Sequence, residues 1–247
     1  VDRILVDDGR AVGVRLADGT EIEARKLVAS TVSAEQTFLE FMDTNTVGED
    51  LATRVRNDVA HKDWSLFTVH LAMSELPQYT ASKFNPDVDR AWVVNLGIGS
   101  TDHLDADWKT IRAGGLVNPQ PNAAVNSLYD PTDAPEGFYT AMLRQFAPFA
   151  LADGGSGAWE NMGRSYGHRC IEAWRRYAPN LTEDTFVDWE VFTPADIAHK
   201  LPNMVNGDWM MGEISLANML DQRPLPELGQ YRTPIEGLYM AGSTQHP

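Results

Sequence analysis

Three runs of alternating apolar and polar residues, divided by two aspartate-glycine turns, open the chain and constrain its fold more than any other stretch. Ile4 and Val6 are followed by Asp8-Gly9-Arg10, then Val12, Val14 and Leu16, then Asp18-Gly19, then Ile22 and Ala24. A period of two sends successive side chains to opposite faces of a strand, and glycine supplies the positive φ of tight hairpins. The segment therefore predicts a three-stranded antiparallel meander of half-buried strands. Lys26 to Val32 continues as a buried strand ending in small residues, Ala29-Ser30-Thr31, which let a backbone come close to a ligand. Ser33 as cap, with Gln36 three positions on, predicts a short helix to about Met42.

The middle of the chain reads as a sheet. Trp64, Leu66, Thr68, His70 and Ala72 alternate with Ser65, Phe67, Val69 and Leu71, both sets largely apolar, which suits an interior strand. Ala91 to Ile98 is a second strand, and 122–130 and 137–148 are two more, joined by a proline-punctuated loop. From Ala158 to Tyr177, Trp159, Met162, Tyr166, Cys170, Ile171, Trp174 and Tyr177 recur at three- and four-residue spacing, a helical stripe facing a core, which Pro179 ends. Thr185 to Phe192 is a further strand, and Thr193-Pro194 caps and starts another helix. From Leu51 to Asp63 the pattern is weaker, and Gly154-Gly155-Ser156-Gly157 reads as a flexible surface loop.

Charge and composition exclude several classes. Thirty-five acidic against twenty basic residues give a net charge of −15, which repels phosphate backbones and anionic lipid, so nucleic acid is not an expected partner. No apolar run approaches the ~20 residues that span a bilayer, and no signal peptide opens the sequence. The lone cysteine, Cys170, rules out an internal disulfide framework and reads as a small buried hydrophobe; it suits a reducing compartment, and a cytoplasmic location is the expectation. Val1 falls inside a strand-like pattern, so the sequence is expected to begin within a longer protein.

The last dozen residues, Glu236-Gly237-Leu238-Tyr239-Met240-Ala241-Gly242-Ser243-Thr244-Gln245-His246-Pro247, read as a buried strand running into a small-residue turn. Together with the meander, the Thr193 to Ile197 turn, Gln222-Arg223-Pro224 and Tyr231 to Tyr239, in that order and spacing, they resemble the phytoene desaturase and amine oxidase group of FAD-dependent oxidoreductases. The resemblance covers nearly the whole chain and implies an α/β fold, mixed α+β in detail. A discontinuous, Rossmann-like FAD-binding domain would take residues 1–50 and 215–247, and an inserted mixed-sheet substrate domain 51–214. The G-x-G-x-x-G fingerprint that places a pyrophosphate at a helix N-terminus is absent from this sequence, as is the glycine pair that follows the terminal motif in the group. A chain with these ends is expected to be a fragment that retains FAD poorly, if at all.

The resemblance implies cofactor contacts at Ala29, Ser30 and Thr31 on one side of a crevice and at Gly242, Ser243, Thr244, His246 and Pro247 on the other. It implies a dehydrogenase or desaturase acting on a hydrophobic small molecule, with Trp64, Phe67, Trp92, Phe146 and Phe149 as the substrate wall and ordinary core as the alternative for each. No catalytic acid or base identifies itself. His70 reads as a core histidine, and His61-Lys62-Asp63 and Asp102-His103-Leu104-Asp105 are rejected as metal ligands, so no metal is expected. A non-redox flavin-dependent isomerase and a flavin-free binding or interaction module stay open as alternatives. Residues 1–32 and 235–242 read as strands without sheet neighbours, which predicts self-association or a complementing chain.

Overall fold

The computed structural model describes residues 1–245. Among them are ten strands, β1 (Arg3–Asp7), β2 (Arg10–Arg15), β3 (Glu21–Glu23), β4 (Val28–Ser30), β5 (Trp64–Met73), β6 (Val93–Asn95), β7 (Asn122–Ala124), β8 (Tyr139–Pro148), β9 (Phe186–Phe192) and β10 (Leu238–Met240). Five α-helices accompany them: α1 (Thr44–Val47), α2 (Glu49–Asp58), α3 (Thr101–Arg112), α4 (Trp159–Arg175) and α5 (Pro194–Lys200). The chain is an α/β fold divided into two compact units, one of residues 1–62 with 201–247, the other of residues 63–200. The segments 51–62 and 201–214, expected in the inserted domain, belong to the unit of the two termini. The apolar face of α2 is the reason for the first, since Leu51, Ala52 and Val55 are buried with Phe38, Leu228 and Leu238.

In the terminal unit, β1, β2 and β3 form the antiparallel meander. Asp8 and Gly9 both have positive φ, 43° and 76°, the geometry of a two-residue hairpin turn whose twist matches that of its strands. Burial is less even than the alternation suggests: Ile4 and Ala11 are enclosed, whereas all of β3 is exposed. β4 and β10 pair in parallel, Val28 with Leu238 through Ser30 with Met240. The stretches expected to lack sheet neighbours thus find them in each other, and the backbone of Glu236 also bonds to Gly9 and Ala11 beside the meander. After β4, Ser33 Oγ accepts from the Gln36 amide at 3.2 Å, half of the expected capping box. The Gln36 side-chain oxygen makes no return bond, and the helix it opens is a five-residue π-turn, Gln36–Glu40, rather than an α-helix reaching Met42.

The central unit is a five-stranded sheet of order β6-β7-β8-β5-β9, antiparallel at every described pairing rather than mixed. Its neighbours run in opposite directions, so no parallel crossover is needed. β5 is interior, as its two apolar faces require. Ser65, Phe67, Val69, Leu71 and Met73 point to the core, where Trp159, Tyr166, Cys170, Ile171 and Trp174 of α4 meet them. Gly167 on α4 lets the helix approach β9 closely, since a Cβ there would sit 2.4 Å from Val191 Cγ1. Met162 and Tyr177, assigned to the same stripe by spacing, lie on its flanks and are largely exposed. Thr193 and Asp196 cap α5 reciprocally, the Thr193 Oγ1 accepting from the Asp196 amide at 3.2 Å and the Asp196 carboxylate accepting from the Thr193 amide at 2.9 Å.

Two strands are shorter than their apolar content implies: β6 holds only Val93–Asn95, and β7 ends at Ala124 in a 3-10 turn. Helix α2 buries Leu51, Ala52 and Val55, whereas α3, with Leu104, Trp108 and Ile111 on one face, buries only Ile111. Its start is set by Ser100, whose Oγ accepts from the His103 amide at 3.2 Å.

Candidate functional site

The parallel pairing of β4 with β10 sets Ala29 opposite Tyr239 and Ser30 opposite Met240, and brings Thr31 beside Gly242. The Ala241 amide donates to the Ser30 carbonyl at 2.8 Å, and a Cβ at Gly242 would lie 3.6 Å from the Thr31 carbonyl oxygen. Both strands end here at their carboxyl ends, the place where open parallel sheets bind ligands. Ala29, Thr31, Gly242 and Ser243 are exposed and small, so backbone is accessible along both segments. Ser30 and Thr244 are buried and play supporting parts, Ser30 Oγ sharing a 2.7 Å hydrogen bond with Thr37 Oγ1 and Thr244 Oγ1 reaching the Ala241 carbonyl. Gly242 has φ +84° with no neighbour closer than ordinary contact, so backbone conformation rather than lack of space demands glycine. His246 and Pro247 lie outside the described residues.

Behind this turn stands a buried polar network that motif reading missed. Arg223 is 2% exposed, and its guanidinium donates to the Ser243 carbonyl at 2.8 Å, to the Glu213 carbonyl at 3.2 Å and to the Met210 carbonyl. Burial lowers its pKa, partly offset by the charge of Asp208. Asp208, wholly enclosed, accepts from Lys62 Nζ at 2.9 Å and from the amides of Met210 and Gly212, both at 3.0 Å. Lys62 is therefore a structural cation, buried against a carboxylate far along the chain. In the sequence Lys62 stands between His61 and Asp63, a setting that gives no sign of burial.

The network continues through His61, whose Nε2 is hydrogen-bonded to Glu35 Oε1. Burial pushes the Glu35 carboxyl upward, but the hydrogen bond and charge of His61 outweigh it, and its pKa is net lowered. Stability from this carboxylate is complete above the unfolded value near 4.5 and is lost as pH falls through the folded pKa. Glu35→Gln is expected to lower the melting temperature at neutral pH and to make little difference once the pH is below that of the folded carboxyl. Parallel melting curves from pH 7 to pH 3 check it, and a gap that widens on acidification contradicts the pairing.

In the central unit, the sheet face turned away from α4 is partly open. His70 is exposed there rather than in the core, its Nε2 3.2 Å from Thr68 Oγ1 and its ring edge-on to Phe192; burial of part of the ring lowers its pKa. Sequence alone could not tell which apolar face of β5 the helix would cover. Of the expected substrate wall, Trp64 and Phe146 meet with ring centroids 5.3 Å apart, joined by Trp108 from α3 at 4.7 Å from Trp64. Phe67 is corrected to core, since it is fully buried and stacked on Trp159 at 5.5 Å. Trp92 is 56% exposed, its Nε1 donating to Asn126 Oδ1, and Phe149 is half-buried with its carbonyl accepting from Trp159 Nε1. Cys170 is wholly buried, and burial pushes its thiol up to about 12, leaving it inert as a nucleophile.

Among the described residues, His168, Glu172 and Glu183 form one group with metal-compatible spacing, all exposed. Arg175 already neutralises both carboxylates, at 2.6 Å and 2.9 Å. No helix among the described residues is long and apolar enough to cross a membrane.

The fold so described has a likeness among solved structures. A crystal structure of an oxidoreductase from Methanosarcina mazei matches 99% of this chain and 43% of its own at a TM-score of 0.54, with 14% sequence identity, a likeness of fold alone. At the sequence level the chain is 28% identical over 263 residues to a limonene dehydrogenase subunit of Castellaniella defragrans, covering 100% of this chain and 46% of that protein. It is also 28% identical over 248 residues to pyridine nucleotide-disulfide oxidoreductase domain-containing protein 2 of Mus musculus, covering 97% of this chain and 41% of that one. No family model matches. The chain thus spans less than half the length of the curated relatives it matches, and these relatives support an enzyme of the oxidoreductase kind.

Proposed function

We propose that this chain forms part of an FAD-dependent oxidoreductase, of dehydrogenase or desaturase type, that acts on a hydrophobic small molecule. The observation that carries the reading is the β4–β10 register, which pairs Ala29 with Tyr239 and Ser30 with Met240 and so leaves Thr31 beside the Gly242 turn at the carboxyl ends of two parallel strands. The residues present fit a flavin nucleotide: exposed backbone on both sides, glycine where φ is positive, and a buried guanidinium that holds the turn by the Ser243 carbonyl. When bound, FAD supplies hydride acceptance from a C–H bond, and the protein's work is placement and exclusion of water. The terminal unit does the first through the two small-residue segments. The central unit is taken as the substrate domain, with Trp64, Phe146, the half-buried Phe149 and the exposed Trp92 as its proposed apolar contacts. The likeness to a protein named as a dehydrogenase subunit for limonene favours a hydrocarbon-like substrate and a second chain as partner.

Expression of the longer protein that contains this sequence tests the reading. A yellow protein carrying about one FAD per chain, released on denaturation, is expected, together with bleaching when a substrate is added anaerobically. A colourless protein that gains no flavin on reconstitution refutes the assignment. The 247-residue chain by itself lacks G-x-G-x-x-G and is expected to hold little flavin.

A further inference from the structure

Pairing within the central sheet sets Arg144 among neutral neighbours. It stands opposite Thr68 of β5 and Asn122 of β7, with Met142 and Phe146 two residues away on the same face of its own strand. Arg3, Arg15 and Arg175, the other half-buried arginines among the described residues, are each paired with a carboxylate. Arg144 has no such partner, and its Nε is enclosed without a hydrogen bond. Its Nη1 and Nη2 are neither enclosed nor bonded, so they keep access to solvent. A partly desolvated guanidinium normally finds an anion, and this chain has thirty-five acidic residues to twenty basic ones from which to supply it.

Arg144 lines a partly open cavity of about 140 Å³ between α3 and the sheet, lying wholly within the central unit. Leu104, Trp108, Ile111, Val117 and Phe146 give it mostly apolar walls, and the rings of Trp108 and Phe146 lie 5.3 Å apart at 33°. A volume on the order of 150 Å³ takes one benzene-sized group. The open side lets the remainder of a ligand meet water. Asp107, the carboxylate in this lining, is already engaged: it accepts from Gln120 Nε2 at 2.9 Å and lies 3.7 Å from His103 Nε2. Asn122 Nδ2 is likewise committed to Asn95 Oδ1 at 2.7 Å. The free end of Arg144 is therefore the unengaged charge at the site.

We propose that this cavity binds a monocarboxylate carrying a ring-sized apolar group. The carboxylate accepts from Arg144 Nη1 and Nη2, a planar fork matched to two carboxylate oxygens, and the ring lies against Trp108 and Phe146. A neutral ring compound leaves the guanidinium unpaired, and an ammonium is repelled by it. A dianion brings surplus negative charge beside Asp107. Binding here is independent of the flavin reading; only the use of the bound acid as a redox substrate would rest on it.

Titration of the full chain with phenylacetate, phenylacetamide, acetate and phenethylamine, followed by calorimetry or ligand-observed NMR, tests the site. Phenylacetate is expected to bind saturably and about tenfold to a hundredfold more tightly than phenylacetamide, the worth of a charge-assisted hydrogen bond. That preference runs against the net charge of −15, which repels anions from the chain as a whole. Acetate, lacking the ring, should bind at least tenfold more weakly than phenylacetate. In Arg144→Met, which keeps the apolar stem, the preference for acid over amide should fall to near unity while the amide still binds. Phe146→Ala, at a side chain 39% exposed, should weaken acid and amide alike. Equal affinity for acid and amide, acetate binding as tightly as phenylacetate, or tighter binding of phenethylamine each overturns the proposal. So does an undiminished preference in Arg144→Met, unchanged affinities in Phe146→Ala, or no saturable binding of any probe. Should Arg144→Met fail to fold, the four probes on the unaltered chain and on Phe146→Ala still decide. A colourless protein that binds phenylacetate in this way refutes the oxidoreductase reading and leaves the pocket standing, and a yellow protein without the preference does the reverse.

Discussion

Asp208→Ala is expected to destabilise the unit formed by residues 1–62 and 201–247 by about 3–5 kcal/mol, because it leaves the Lys62 ammonium buried without the carboxylate that balances it. The side chains of this pair are 4% and 0% exposed, so solvent offers little compensation. Two backbone amides, at Met210 and Gly212, lose their acceptor in the same substitution. The melting temperature of that unit should fall on the order of 10 °C. Removing both charges in Lys62→Met with Asp208→Leu should recover part of the loss, since a buried ion pair exchanged for apolar groups is close to neutral. Calorimetry of the two variants checks this, and a single variant within about 1 kcal/mol of the parent would mean that the pair is hydrated.

Gly242→Val should have the largest effect on cofactor retention in the flavin-bearing protein. Valine at φ +84° is strained by about 1–3 kcal/mol, and relaxing that strain moves the turn that faces Thr31. If the turn contacts the flavin, its affinity falls by about tenfold to a hundredfold. Gly242→Asn, which tolerates positive φ, should retain more. The readout is the flavin-to-protein ratio after gel filtration, set beside the melting temperature of the apoprotein. Loss of stability with full flavin content would make the turn structural only, and no change in either would make it an ordinary surface turn.

How much of this was legible in the sequence depended on how far each signal had to travel along the chain. The meander was written in its period-two runs and its Asp-Gly turns, α4 in the spacing of Trp159, Tyr166, Cys170 and Trp174, and the α5 cap in Thr193-Pro194. Each rests on contacts within a few residues, where local geometry alone determines the outcome. The same reading failed where two patterns compete. α3 carries Leu104, Trp108 and Ile111 at helical spacing but buries only the last, and β5 is apolar on both faces, so its alternation does not say which face α4 covers or whether Phe67 or His70 is core.

The candidate site follows the same division. Ala29, Ser30, Thr31 and the Gly242 turn stood out because small residues after an apolar strand carry a local meaning. Lys62 and Asp208 carry no such signal, and Gln222-Arg223-Pro224 marks Arg223 without naming its partners: a lysine or an aspartate is read as solvated until a partner encloses it, and these partners come from distant parts of the chain. Asn122 and Arg144 likewise become neighbours only through the β7–β8 register. The meander with its turns, α4 and the α5 cap follow from the alternation, spacing and backbone freedom of neighbouring residues, and so were written in the sequence. Tertiary structure alone decided that β4 and β10 pair in parallel from opposite ends of the chain, which charges are buried together, and where a cavity is left. Those outcomes depend on which distant surfaces exclude water from one another, and no local pattern encodes that choice.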